Sequence, residues 1–140
     1  MTEPKPHYRF EDLTAIISRL CAPDGCPWDR VQTHETLIPC LRNEAEEAVQ
    51  AIENSDMENL CEELGDVLLQ VLLHSEIAAR AGTFTLQDVI DGISRKMIRR
   101  HPHVFGDVKA ETPQECLELW NQIKAQEKSL TNRSTASINR

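Results

Sequence analysis

The chain has 140 residues, which is long enough for one domain with a buried core. It carries 23 Asp and Glu residues against 15 Lys and Arg, a formal net charge of -8 at pH 7. Such a surface repels nucleic-acid phosphates and anionic lipids, which excludes a nucleic-acid polymer or a membrane as its principal partner. Glycine is scarce and helix-forming residues recur, so the composition predicts an all-α fold.

The N-terminal third predicts two helices separated by a loop. Apolar residues at helical spacing indicate a first helix at about residues 10–21. The Pro and Gly content of residues 22–29 indicates a loop. A second helix is expected over about 33–53, and Pro39 predicts either a kink within it or a short helix followed by a longer one.

The middle of the chain predicts two further helices. Ser55 begins a capping-box pattern, and the helix that it opens continues through a long apolar run to Ala81, with Gly82 as its stop signal. Thr85 resembles the N-cap of a fourth helix, which must end before Pro102.

A fifth helix is expected at about residues 113–127, because Thr112 can cap it and Pro113 suits its first position. The predicted architecture is a bundle of four to five helices. The chain is expected to divide into three segments: a flexible N-terminus at 1–9, a helical domain at 10–128 and a disordered tail at 129–140, which is rich in Ser, Thr and Asn.

The cysteines predict a reducing compartment. There are five of them, and no apolar stretch resembles a secretory leader or could span a bilayer. We therefore expect free thiols and a cytoplasmic location. Cys21 and Cys26, with His34 or Cys40, are the alternative as a zinc site, but they lack the usual close spacing of zinc ligands.

The third predicted helix carries an unusual row of polar residues. At about 100° per residue, one stripe beside its apolar face contains Asn59, Glu63, Asp66, Gln70 and His74. A carboxylate buried alone is costly, so the two acidic members of the stripe need a cation or access to water.

The second predicted helix supplies a matching pair, Glu44 and Glu47, on one flank of its apolar arc. A short turn at 53–56 would fold the two helices together and bring this pair opposite Glu63 and Asp66. Four converging carboxylates repel one another unless a divalent cation neutralises them. Their oxygen ligands favour Mg²⁺, with Mn²⁺ as the alternative.

Two other interpretations compete with the magnesium site. The acidic residues could form a solvated charged face, which is the usual explanation of a Glu-x-x-Glu pair on its own. A di-iron site would need Glu-x-x-His pairs, but Val71 stands three residues before His74, so that motif is absent.

The densest basic segment lies at the end of the fourth predicted helix, around residues 95–103. Cations at a helix C-terminus interact favourably with its dipole, which is a sufficient structural explanation. The functional alternative is phosphate binding, for which Lys96 and Arg100, four residues apart on one face, are the best pair. Trp28, in the Pro-flanked loop, could stack on a nucleobase or anchor the loop. Trp120 is expected to be a core residue.

Several motifs together resemble the MazG family of nucleotide pyrophosphohydrolases, which belongs to the all-alpha NTP pyrophosphatase superfamily. The resemblance covers about residues 10–128. It rests on five strings: Gly25-Cys-Pro-Trp-Asp29, Gln32-Thr-His34, Asn43-Glu-Ala-Glu-Glu47, Glu62-Glu-Leu-Gly-Asp66 and Arg99-Arg-His-Pro-His-Val-Phe-Gly-Asp107.

The resemblance implies an enzyme that cleaves NTP or dNTP to the monophosphate and pyrophosphate, in a MazG-like bundle that forms a homodimer or a larger homo-oligomer. Its catalytic metal ligands would be Glu44, Glu47, Glu63 and Asp66. Lys96 and Arg100 match basic positions near the substrate phosphates in such enzymes.

One position departs from the family pattern, in which a doubled Glu begins the first acidic motif. Asn43 replaces the first Glu of that doublet. Its helical phase lies about 100° from Glu44, so we expect it to weaken but not abolish the positioning of metal or water. The alternative function is a catalytically weak or silent MazG-like module that binds nucleotides or a partner.

Overall fold

The computed structural model describes residues 3–138, with side chains for 3–131. Over this range every regular element is an α-helix, as the sequence predicts. There are seven helices in it: α1 (Phe10–Cys21), α2 (Pro27–Arg30), α3 (Ile38–Glu53), α4 (Met57–Ala81), α5 (Leu86–Arg100), α6 (Pro102–Phe105) and α7 (Pro113–Ile138). The number exceeds four or five because of two single turns: α2 lies mostly in the predicted loop at 22–29, and α6 lies between the fourth and fifth predicted helices.

The first helix and the loop after it form as a compact corner. Helix α1 has the predicted bounds, and the Asp12 carboxylate accepts a hydrogen bond from the Arg9 backbone N–H at 2.9 Å. In the loop, a Cβ atom at Gly25 would lie 2.2 Å from the Leu20 carbonyl oxygen. Only glycine fits this approach, and Pro27 then starts α2 at a position where its missing N–H is not needed.

Helix α3 begins later than predicted. Its first residue is Ile38, five residues after Thr33, and Pro39 lies in its first turn. Neither predicted alternative is present: α3 has no kink at Pro39, and residues 34–37 form a turn rather than a short helix. A proline in the first turn of a helix removes no internal hydrogen bond. Before α3, Thr33 and Thr36 exchange hydrogen bonds between backbone N–H groups and side-chain hydroxyls, at 2.8 and 3.1 Å.

The ends of α4 follow the predicted pattern with one shift. The N-cap is Asp56, whose carboxylate accepts a hydrogen bond from the Asn59 N–H at 3.1 Å; the expectation of Ser55 was wrong by one residue. Ser55 adopts a φ of 53° in the tight turn between α3 and α4 and so cannot serve as the extended N-cap. At the other end, Gly82 has a φ of 74°, which confirms the predicted left-handed stop.

Residues 1–87 form one compact unit whose centre is α4. The three-residue turn at 54–56 folds α3 back along α4, and α1 packs on another face of α4. The core cluster contains five buried residues: Ile17, Cys21, Leu37, Leu72 and Leu73. Each buried aliphatic side chain contributes about 1.5–3 kcal/mol by leaving water, so this cluster holds the α3–α4 hairpin in one register.

Residues 88–140 form a second compact unit that contains α6, α7 and most of α5. Thr112 caps α7 as predicted, accepting a hydrogen bond from the Glu115 N–H at 3.2 Å. Helix α7 continues to Ile138, past the predicted end near 127 and into the segment expected to be disordered. The sequence after 113 contains no Gly or Pro that would end a helix, and Ser, Thr and Asn disfavour one only weakly.

No helix in the described part of the chain combines the length and apolar character needed to cross a bilayer. The five cysteines are free thiols, and burial raises the pKa of the Cys21 thiol in the core.

Candidate metal centre

Four carboxylates meet where α3 crosses the first half of α4. One oxygen from each of Glu44, Glu47, Glu63 and Asp66 lies within 4.8 Å of the others. The predicted convergence of the two acidic pairs is therefore present in the structure. A single cation placed among these atoms could contact all four side chains.

The hairpin explains this convergence from local features. Each helix presents two acidic residues three positions apart, which places both on the same side of that helix. The short turn makes the helices antiparallel neighbours, so the pair near the middle of α3 faces the pair in the first half of α4. Ala48 and Ala51, which are buried on α3, present only methyl groups and let the helices approach closely.

Two of the carboxylates have oxygens that receive no hydrogen bond from the described part of the chain. Oε2 of Glu44 and Oε2 of Glu63 are buried and have no hydrogen-bond partner. Glu47 is exposed to solvent, and Asp66 is half-buried. The protein alone leaves buried acceptors unpaired here, and a bound cation would satisfy them.

The cluster favours protons when no cation is present. A hydrogen bond with Glu47, burial and the neighbouring charges together raise the pKa of Glu63 to about 7. Burial and the charges of Glu47 and Asp66 also raise the pKa of Glu44. A divalent cation would reverse this by stabilising the ionised carboxylates, and all-oxygen ligands suit a hard cation. The residues therefore fit a metal site.

The other polar residues of α3 lie outside this group. Asn43 and Glu46 are both exposed and contribute no atom to the four-carboxylate cluster. Helical phase predicts this for Glu46, which lies about 160° from Glu44 and about 100° from Glu47 at ~100° per residue. Asn43 lies about 100° from Glu44 but only about 40° from Glu47, so it stands at the edge of the cluster.

The polar stripe of α4 continues past the carboxylates toward the C-terminal half of the helix. Gln70 is only 5% exposed, and its Oε1 has no hydrogen-bond partner within residues 3–131. One turn later, Nδ1 of His74 lies 2.7 Å from Nδ1 of His34, and the two rings stack in parallel with centroids 5.0 Å apart. Phe84 stacks on His34 as well. Burial and the neighbouring His34 lower the pKa of His74.

The pairing of the two histidines was not predicted. His34 precedes α3 by four residues, so its ring links the segment before one acidic helix to the second half of the other. A histidine in a loop carries no periodic signal, and only the folded hairpin brings it to His74.

The basic segment has its own partners in the second unit. Nη2 of Arg100 contacts Oε2 of Glu127 at 2.8 Å, and Arg99 pairs with the other oxygen of the same carboxylate. The Arg100 guanidinium also lies over the Trp120 ring, 4.7 Å from its centroid. Lys96 is half-buried and makes no ion pair among the residues described.

Glu127 is a residue that the sequence interpretation missed. Hydrogen bonds from Arg100 and Arg99 hold its pKa down to about 2. It follows Trp120 by seven residues on α7, which places both on one side of the helix. This spacing is present in the sequence, but the apolar periodicity of α7 does not by itself indicate the pairing of Glu127 with the arginines.

The two tryptophans differ in their surroundings. Trp28 lies in α2 with about half of its surface exposed, and its carbonyl accepts a hydrogen bond from Nε2 of Gln32 at 2.9 Å. Trp120 is half-buried between Arg100 and the edge of His101. The ring of Trp28 is therefore accessible to a stacking ligand.

Comparisons with known proteins point to one family. Residues 32–105 match the model of the MazG nucleotide pyrophosphohydrolase domain. The chain is 50% identical over 119 residues to the nucleoside triphosphate pyrophosphohydrolase/pyrophosphatase MazG of Thermotoga maritima, covering 85% of this chain and 45% of that protein. It is 48% identical over 128 residues to the uncharacterized protein YabN of Bacillus subtilis, covering 91% of this chain and 26% of that protein.

The fold has a match among solved structures. The crystal structure of a mazG-related protein from Thermotoga maritima aligns with a TM-score of 0.69 at 33% sequence identity, covering 82% of this chain and 98% of that one. By contrast, the chain spans between a quarter and a half of the two curated relatives given above.

Divalent cations are expected to stabilise the folded protein through this cluster. At a Mg²⁺ or Mn²⁺ concentration about 100 times the dissociation constant, linkage adds about 2.7 kcal/mol, a shift of several degrees in Tm. Glu63→Gln is expected to lose most of that shift, measured by thermal unfolding with and without the metal. Glu46→Gln, an equal charge change on the exposed side of α3, is the control; equal shifts in both variants would contradict the site.

The stability of the metal-free protein should depend on pH through Glu63. Its folded pKa of about 7 exceeds the ordinary value of 4.5, so its contribution is complete below pH 4.5 and is lost as the pH rises through 7. Glu63→Gln stays neutral, so its stability relative to wild type should increase from pH 5 to pH 8.

The measurement is urea unfolding in EDTA at several pH values. The lowered pKa of His74 acts in the opposite direction, because its contribution is lost as the pH falls below 6.5. That effect is common to both proteins and cancels in the comparison. A stability difference that stays constant across this range would show that Glu63 titrates normally.

Proposed function

Because this chain belongs to the MazG nucleotide pyrophosphohydrolase family, we propose that it hydrolyses nucleoside triphosphates, NTP or dNTP, to the monophosphate and pyrophosphate. The observation that carries the proposal is the meeting of four carboxylates within 4.8 Å, two of them with buried and unpaired oxygens. An acidic protein can accept a polyanionic substrate at such a site only with a cation between them.

The proposed cofactor is Mg²⁺, with Mn²⁺ as the alternative, held by Glu44, Glu47, Glu63 and Asp66. Oxygen ligands alone favour these hard cations over zinc or copper. When bound, the metal would neutralise phosphate charge and polarise the phosphate oxygens.

The protein's own groups would orient and activate the attacking water. Glu47 is the most exposed member of the cluster and can accept the water's proton; Glu44 is the alternative base. The water oxygen forms a bond to the α-phosphorus. The bond from that phosphorus to the bridging oxygen breaks, and pyrophosphate leaves with the bridging oxygen. This division of roles among the carboxylates is part of the proposal.

The substrate contacts proposed from the sequence remain Lys96, Arg100 and Trp28. Lys96 and Arg100 would stabilise negative charge on the phosphates and on the leaving pyrophosphate. Lys96 supports this role because it makes no ion pair among the described residues. Trp28 would stack on the base through its exposed ring.

We also propose that the chain forms a homodimer or a larger homo-oligomer. Apolar side chains of α1 and α4 line an open groove that contains Phe10, Leu13, Ile16 and Leu68. Phe10 and Ile16 are each 43% exposed, although both belong to an apolar face. A second copy would cover this face.

The five free thiols favour the cytoplasm as the location.

Purified protein incubated with mixed NTPs and dNTPs and Mg²⁺ is expected to release pyrophosphate and monophosphate in equal amounts. Glu63→Ala should lower the rate by at least about a hundredfold, the scale for losing a group that stabilises reacting charge. Glu46→Gln is the control and should keep the wild-type rate. Release of orthophosphate without pyrophosphate would contradict the proposed cleavage position.

The second candidate function is a weak or silent nucleotide-binding module, and Asn43 favours it. Asn43 stands where the family pattern has a Glu, and its side chain is exposed. If the enzyme is active, Asn43→Glu should raise its rate by about tenfold, the lower end of the effect of a residue that acts through the metal ligands. Calorimetry that shows Mg²⁺-dependent nucleotide binding, with no turnover in wild type, would support the silent module.

A further inference from the structure

Arg100 is held in one orientation by contacts on two sides. Along one edge of its guanidinium, Nη2 lies 2.8 Å from Oε2 of Glu127 and Nε lies 3.4 Å from Oε1. Across its face lies the ring of Trp120, 4.7 Å from ring centroid to the guanidinium carbon. The side chain is only 10% exposed, so it has little room to adopt another rotamer.

This arrangement leaves part of the guanidinium unused. Arginine has five N–H donors in a rigid plane, and they form two edges that can each bind two oxygens. Glu127 occupies the edge made by Nε and Nη2. Within the described residues no acceptor contacts Nη1, so the terminal edge made by Nη1 and the second N–H of Nη2 stays available.

The charge balance of this group also favours an anion. Arg99 and Arg100 share the single carboxylate of Glu127, so two positive charges face one negative charge. Glu127 is 22% exposed, and Arg99 is about half exposed. The carboxylate fixes the geometry of Arg100 without cancelling the positive charge of the group.

We propose that Glu127 is a positioning residue that, with Trp120, aims the free terminal edge of Arg100 at a phosphate group of the substrate. The proposal rests on the proposed function and adds to it a residue that acts through Arg100. Glu127 itself does not contact the substrate. Its effect is to spare Arg100 the loss of rotamer freedom on binding, since the guanidinium is already in place.

A plain ion pair makes the opposite prediction. If Glu127 only occupies Arg100, it competes with incoming anions, and removing its charge should tighten phosphate binding. If Glu127 positions Arg100, removing its charge should weaken binding even though the protein becomes less negative. The direction of the change therefore separates the two roles.

The test compares wild type with Glu127→Gln, which keeps the shape of the side chain but replaces one acceptor oxygen with an NH₂ donor. Calorimetry with inorganic pyrophosphate and Mg²⁺ measures binding, and steady-state NTP hydrolysis gives kcat and KM. The matched control is Glu118→Gln, the same charge change on α7 at an exposed residue that contacts Gln114 and no arginine.

We expect Glu127→Gln to weaken pyrophosphate binding about fivefold or more and to lower kcat about tenfold, with KM changed less than threefold. Glu118→Gln should change each value less than twofold. In an Arg100→Lys background, Glu127→Gln should have no further effect, because lysine lacks the two-edged fork. Unchanged or tighter pyrophosphate binding by a folded Glu127→Gln would overturn the proposal.

The binding measurement keeps this inference separate from the proposed function. If wild type binds pyrophosphate but hydrolyses no NTP, the proposed function fails and the pyrophosphate affinities still decide the role of Glu127. If wild type binds no pyrophosphate, Arg100 has no phosphate role and the inference is wrong. If Glu127→Gln does not fold, Arg100→Lys alone decides: pyrophosphate binding equal to wild type would overturn it.

Discussion

The repulsion among four carboxylates that the α3–α4 hairpin forces together is the constraint on which the rest of this structure depends. Their oxygens lie within 4.8 Å of one another, where like charges raise the energy of the folded state. The aliphatic core around Leu37, Leu72 and Leu73 stabilises the hairpin and so keeps the carboxylates together. Bound protons or a cation can relieve the repulsion, which makes the hairpin a natural metal-binding element.

The two compact units handle their charges in opposite ways. In the second unit, Glu127 accepts hydrogen bonds from two arginines, which lower its pKa to about 2. In the first unit, a hydrogen bond with Glu47, burial and the neighbouring carboxylates raise the pKa of Glu63 to about 7. Glu127 is therefore compensated by arginines and leaves one positive charge over, whereas the carboxylates of the acidic cluster make no ion pair among the described residues. The acidic cluster therefore needs a cation, and the basic group can accept an anion.

Two helix starts differ from the prediction, and in each case a neighbouring residue begins or caps the helix instead. Pro39 would disrupt the interior of a helix, and α3 avoids this by beginning at Ile38. Ser55 could have capped α4, but the tight turn places it at positive φ, and Asp56 serves instead. These shifts of one to five residues leave the acidic pairs in place because the hydrophobic periodicity of both helices is unchanged.

Composition and periodicity along the chain predicted the all-α fold and the main helices, and helical phase grouped the four carboxylates into two pairs, since that phase depends only on the spacing of residues. The tertiary structure decided what spacing cannot express: the hydrogen bond between His34 and His74, and the pairing of Arg100 with Glu127. Both join residues more than 25 positions apart, and such contacts depend on how helices pack. The sequence determines which side chains are available, whereas tertiary packing determines which of them meet, because the folded state is stabilised by close packing between surfaces distant in the chain.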